Sequence, residues 1–296
     1  MSLIVCILYM ISKKEHEVKK GMIFAGCSFT WGQGLWFYSN LETLINPENK
    51  WGYSPGLVNH AHFKFMEANR FSRIVSDFLG SYELVHYKNG GANDQIVRYW
   101  KRCLEAEFTE RIESFHPGED DLVDPISFDE ISHIVFQLTQ SSRDKFYYSV
   151  DGEFFNDPLQ WNFAVEHKKN YHSFKKYVET NNLQVYDINQ GHMISSIEGV
   201  KSFLQLCESR GIKAMILTWP NEFLEYIKND NWLRDRWIKI NHDGEEYESI
   251  QGLLEKNPHL QICEDFKNFE IPPNDCHPTL EVHRKIALSI INFIKK

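Results

Sequence analysis

Apolar positions along this chain fall into two rhythms. Four short, nearly unbroken runs, Met22–Ala25, Tyr82–Tyr87, Ile131–Leu138 and Ile212–Thr218, give way to turn-forming or polar residues and predict buried strands. Between them, apolar residues recur at three- and four-residue spacing. Phe71, Ile74, Val75, Phe78 and Leu79 precede Gly80, and Ile96, Val97, Trp100 and Leu104 share one helix face. Val200, Phe203, Leu204 and Cys207 precede Gly211 in a helix expected near 193–210. Val282, Ile286, Ile290, Ile291 and Phe293 predict a final helix over Thr279–Ile294. Weaker patterns read as helices over 171–181, Glu222–Lys228 and Glu245–Leu254, and as a fifth short strand over His259–Cys263. Strand and helix alternate, which predicts an α/β fold around a mainly parallel sheet covered by helices.

Where neither rhythm holds, the chain reads as loop. Residues 36–69 carry Asn46-Pro47, Trp51-Gly52 and Ser54-Pro55-Gly56, a long loop suited to the rim of a site. Residues 114–129 are acidic and rich in turn formers, and 144–170 read as an aromatic insertion or lid. Near the start, Leu3–Ile11 is apolar and is followed by Lys13, Lys14, Lys19 and Lys20. Positive charges that follow such a run, no small-residue cleavage site and too few residues to span a bilayer argue against a signal peptide or anchor. The expectation is an N-terminal extension over 1–21, then one domain over 22–296, with no membrane association and a cytoplasmic location.

Charge narrows the partners. A formal net charge of −9 and a pI near 5.8 exclude a nucleic-acid backbone as the principal partner. Six scattered cysteines without CxxC spacing read as reduced thiols, neither a disulfide framework nor a zinc site. His60 and His62 lack a third ligand at recognisable spacing, so a solvated or hydrogen-bonded pair is expected rather than a metal site. Oligomeric state is not readable from these features.

The chemistry gathers at strand ends. Met22–Leu35, MIFAGCSFTWGQGL, is a strand that breaks at Gly26 and at once presents Ser28. A sharp turn there leaves the next amides untied, so Ser28 can offer its hydroxyl and its own N–H to one carbonyl. The glycines lack both the Walker lysine and Rossmann spacing, which excludes a nucleotide-phosphate loop. Before the last helix, Asn274-Asp275-Cys276-His277-Pro278-Thr279 sets a carboxylate and an imidazole two residues apart, with Thr279 as a helix cap. A loop that curls lets Asp275 fix the tautomer of His277, and His277 take the Ser28 proton. Cys27 is the alternative nucleophile and needs an activating base beside it.

Taken in order, these blocks resemble the SGNH hydrolase superfamily, also called GDSL-like esterases and lipases, over about residues 22–295. Gly26-Cys27-Ser28-Phe29-Thr30 is similar to the first block of that family and makes Ser28 the nucleophile. Gly90-Gly91-Ala92-Asn93 resembles the second, whose glycine N–H, here Gly91, donates to the oxyanion. Asp275 and His277 resemble the last, as supporting acid and general base. The resemblance implies a flavodoxin-like three-layer α/β/α sandwich and hydrolysis of a small-molecule or carbohydrate ester, without metal or organic cofactor. Three positions depart from the family. Cys27 stands where Asp is usual, Ser141 stands where an oxyanion-hole Asn is usual, and Asn274 occupies the usual place of the acid, so either Asp275 reaches from one residue nearer or Ser28 and His277 work as a dyad. One lost oxyanion donor costs about 3 kcal/mol, or roughly a hundredfold in rate, and Asn93 on the neighbouring turn is the expected substitute. The rival expectation is a catalytically weak or inactive binding or structural module that keeps the fold.

Overall fold

A computed structural model describes residues 20–32, 35–38, 60–85, 91–104, 128–159, 169–262 and 277–296. In chain order its main elements are β1 (Gly21–Ala25), α1 (Ser28–Trp31), α2 (His60–Asn69), α3 (Phe71–Leu79), β2 (Tyr82–Val85), α4 (Asn93–Leu104) and β3 (Ile131–Leu138). There follow β4 (Lys145–Val150), β5 (Glu153–Pro158), α5 (Lys169–Thr180), α6 (Val185–Ser209) and β6 (Lys213–Thr218). The chain closes with α7 (Leu224–Asn229), α8 (Asn231–Arg234), β7 (Ile240–His242), β8 (Glu245–Tyr247), α9 (Ile250–Lys256) and α10 (Leu280–Ile294).

The protein is mixed α/β. Its central sheet is parallel, with strand order β2-β1-β3-β6 among the described residues. Registers run Phe24↔Val85 and Ala25↔Phe136 on either side of β1, then Leu138↔Thr218. Gly26, Thr139 and Trp219 therefore leave the sheet at the same carboxyl edge, where α/β proteins place their sites.

Every residue of β1 is buried because the strand is enclosed on both faces and both edges. Met22 and Phe24 join a core with Phe71 and Val75 of α3 and Val282, Ile286 and Ile290 of α10. Ile23 and Ala25 join a second core with Ile96 and Trp100 of α4 and Ile197, Phe203 and Leu204 of α6. Alternate side chains on a strand point to opposite faces, so one unbroken apolar run supplies both cores. Each large side chain buried in this way is worth roughly 1.5–3 kcal/mol.

Several expectations change. Within 36–69, residues 60–69 form α2 rather than loop; the side chains of His60 and His62 lie outside the described residues, as do 39–59. Much of the expected lid at 144–170 is a hairpin, in which β4 pairs antiparallel with β5. Helix α6 begins eight residues earlier than its apolar stripe indicates, because its first turns are polar and largely exposed. Glu245–Leu254 divides into β8 and α9, since β8 pairs back on β7. His259–Cys263 is no strand of the sheet: Pro258–Leu260 makes a 3-10 turn, and Gln261 forms a single bridge with Pro278. The N-terminal extension up to residue 19 and most of the acidic stretch 114–129 lie outside the described residues. No helix among the described residues is long and apolar enough to cross a membrane.

Candidate active site

The site is built upward from Gly26. A Cβ at that position would lie 2.1 Å from Thr30 Oγ1 and 3.0 Å from Gln137 Cβ, so only glycine lets β1 turn this closely over β3. Cys27 then caps the single turn of α1 in extended conformation. Gly32, at φ 84°, ends that turn in the left-handed region, and its N–H donates to Ser28 O at 3.0 Å. As first residue of the turn, Ser28 keeps an N–H with no carbonyl one turn behind it.

Beneath the serine lies a buried polar knot. Gln137 of β3 accepts from Thr30 Oγ1 at 2.8 Å and donates to Leu138 O at 3.0 Å, while its amide rests against Cys27 Sγ at 3.4–3.6 Å. The Cys27 thiol is thus turned into this knot, fully buried, which removes it as the alternative nucleophile. No sequence motif announced Gln137; an amide inside an apolar strand was the one signal.

His277 arrives from the other end of the chain. Ile262 N–H donates to His277 O at 2.9 Å, and Thr279 N–H donates to Leu260 O at 2.9 Å, so two backbone bonds pin the segment. Phe29 stacks on the imidazole with centroids 4.8 Å apart and planes 18° apart. Trp219 meets Phe29 edge-on at 4.5 Å. Held by these backbone bonds and by the Phe29 stack, His277 Nε2 lies 2.9 Å from Ser28 Oγ. A serine hydroxyl within hydrogen-bond reach of an imidazole nitrogen is the arrangement that a general base needs to activate an alcohol. Asp275 lies outside the described residues, as do Asn274 and Gly90.

The oxyanion candidates divide. Gly91 is buried just ahead of α4, at the same edge of the sheet. Asn93 and Ser141 are both corrected by their partners. Asn93 Nδ2 donates to Thr139 O at 2.8 Å and Ser196 Oγ at 3.0 Å, and its Oδ1 accepts from Thr139 N–H at 2.9 Å. Its amide is spent stapling two turns together. Ser141 gives its N–H to Glu222 Oε1 at 2.6 Å and its hydroxyl to Oε2 at 3.1 Å. Burial raises the pKa of Glu222, while these two bonds pull it back down. Neither side chain has a donor left for a substrate oxygen.

Thr139, overlooked in the sequence, stands between them. It is 1% exposed at the end of β3, and its Oγ1 has no hydrogen-bond partner among the described residues. It shares the strand parity of Gln137, whose side chain reaches the Ser28 turn. The same sheet edge carries a buried Trp219 Nε1 likewise without partner.

Six residues past His277, His283 of α10 is fully buried and does different work. Its Nδ1 accepts the Phe71 N–H at 3.2 Å, which satisfies an open amide at the start of α3, where the Arg70 side chain makes no cap. Its ring stacks on Phe71. Burial, with His277 and Arg70 nearby, pushes its pKa down to about 3, so it is neutral at pH 7. Thr279 takes the cap position of α10 as expected, but its side chain makes no capping bond. No group of three His, Cys, Asp or Glu side chains among the described residues is placed to hold a metal ion.

Comparison of the chain with family models, curated proteins and solved structures finds no match.

Proposed function

We propose that this chain is a serine esterase of the SGNH type, on a flavodoxin-like three-layer α/β/α fold, that removes acetyl or short acyl groups from a glycan or another small ester. The observation that carries the reading is the 2.9 Å approach of His277 Nε2 to Ser28 Oγ, two residues 249 positions apart in the chain. In the proposed reaction His277 takes the proton from Ser28 Oγ as that oxygen attacks the ester carbonyl. The N–H groups of Ser28 and Gly91 receive the developing oxyanion, and the free hydroxyl of Thr139 takes the place left by Ser141 and Asn93. His277 then protonates the leaving alcohol, and water releases the acyl group by the same steps reversed. Asp275, two residues before His277, is assigned the orienting carboxylate. Acyl transfer to an acceptor other than water would use the same groups.

The test is hydrolysis of p-nitrophenyl acetate by wild type and Ser28→Ala, with folding matched by circular dichroism. The expected result is activity that disappears with the hydroxyl. Equal rates in both proteins would remove Ser28 as nucleophile for this ester. The engagement of Asn93 and Ser141 favours a second reading, a binding module that keeps the fold without turnover. Failure of a broad acyl panel in the wild type would decide for it.

A further inference from the structure

Away from the Ser28–His277 pair, α4, α5, α6 and the first residues of β4 line an open pocket of about 810 Å³, within the roughly 300–1,000 Å³ range of small-molecule sites. It exists because α6 presents Gly191, Ser195 and Gly199 at four-residue spacing along one face, where larger side chains would close the gap. A Cβ at Gly191 or Gly199 would meet nothing within 4 Å.

Polar groups converge in one part of this pocket. Asp144, 3% exposed, accepts the Asp94 N–H on Oδ1 at 3.1 Å. Asp144 Oδ2, Asp94 Oδ1 and His192 Nε2 are buried and have no hydrogen-bond partner among the described residues. Burial pushes the Asp144 carboxyl up to about 7, so it is about half protonated at neutrality, and burial lowers the His192 pKa. The remaining walls are chiefly apolar or aromatic, with Phe146, Tyr177, Ile188 and Val200 foremost.

Each class of ligand meets these walls differently. A wholly apolar ligand would leave the three buried polar atoms without partners. A sugar would turn most of its hydroxyls onto apolar surface. The charged groups on the wall are of both signs, an Arg98–Asp94 ion pair at 2.7 Å with Asp187 and Lys145, so neither an anion nor an ammonium meets a single complementary charge. One hydroxyl on an apolar ring suits both parts, because it donates as well as accepts. We infer that this pocket is a second binding site, for a small aromatic alcohol whose ring packs on Phe146 and Tyr177 and whose hydroxyl meets Asp144 and His192. The site stands independently of the esterase reading. Asn93 joins the two, since its amide reaches Ser196 of the pocket wall as well as Thr139.

The test is titration of p-cresol, followed by ligand-observed NMR, against wild type, Ser28→Ala and Gly191→Leu. Toluene and cellobiose serve as competitors of p-cresol. Gly191→Leu fills the pocket with a side chain that favours the helix, so the fold is retained. Expected is saturable p-cresol binding that is unchanged in Ser28→Ala and weakened about tenfold or more in Gly191→Leu. Toluene is expected to compete at least about tenfold more weakly. Gly199→Leu gives an independent second block. Binding that survives both leucines, or that is lost in Ser28→Ala, would overturn the assignment. So would equal affinity for toluene, or preference for cellobiose. Retained p-cresol binding in a protein without ester hydrolysis would keep this site and sink only the esterase.

Discussion

Two histidines stand six residues apart at the start of the last helix, and their surroundings give them opposite work. His277 precedes α10 on a pinned loop, with one ring nitrogen on a hydroxyl and one face on Phe29. His283 lies inside α10 with no exposed surface, one nitrogen on a backbone amide and one face on Phe71. The contacts are the same in kind: a stack and a hydrogen bond. What differs is the partner. A serine hydroxyl at the sheet edge can give up its proton, whereas the Phe71 amide cannot, so one ring suits the proposed chemistry and the other caps a helix. Residue type says little here, and the bonded atom says nearly everything.

The comparison breaks most visibly at His277. His277→Ala should lower ester turnover by about a hundredfold to ten-thousandfold, with a melting temperature close to wild type, checked by p-nitrophenyl acetate kinetics and a thermal melt. Equal loss of stability would make it a second structural histidine.

His283 should do the reverse. His283→Leu leaves the Phe71 N–H buried without an acceptor, at a cost of about 1–3 kcal/mol. A urea titration should show that loss, while turnover per folded molecule stays within about twofold. The pH dependence sharpens the point. Between pH 6.5 and about 3 the unfolded chain holds a proton on this residue and the folded chain does not. Stability should therefore fall as pH drops through that window. His283→Asn, which retains an acceptor and does not titrate, should flatten the slope.

A smaller effect tests the site's missing donor. Thr139→Val should reduce turnover by about a hundredfold without raising the KM, as expected for a donor used only in the transition state. An opposing pH effect is expected at Asp144. Its folded pKa of about 7 lies above the ordinary 3.8, so the folded chain holds a proton that the unfolded chain has lost. Its contribution should decline as pH rises from 3.8 to about 7, and Asp144→Asn should remove that decline from a stability–pH profile.

How much of this was legible depended on how far each residue's reason lay along the chain. The strands Ile131–Leu138 and Met22–Ala25 were readable because burial on both faces leaves an unbroken apolar run. Phe71–Leu79 was readable because its stripe and its Gly80 cap are local. Ser28 and His277 each sat on a short turn with a chemical signature. Asn93 and Ser141 were misread because their partners are far off in sequence: Ser196, 103 residues from Asn93, and Glu222, 81 residues from Ser141. No local pattern reports such bonds.

The two hairpins are a different failure. Both turn on Asp-Gly with positive φ, 53° and 83° at Asp151-Gly152 and 50° and 84° at Asp243-Gly244. That turn signal was in the sequence. It went unread because the flanking strands are short and mostly polar or exposed, so no apolar alternation drew attention to them.

The antiparallel bridge between Gln261 and Pro278 has a consequence for how this protein can change over time. Two backbone bonds bring the chain back to the place it left, whatever it does between Ile262 and His277. Backbone bonds do not depend on side-chain identity. Insertions, deletions and drift over residues 263–274 can therefore accumulate while the imidazole keeps its address and Asp275 is retained. Selection, or a protein engineer, is free to rewrite that stretch without renegotiating the position of His277.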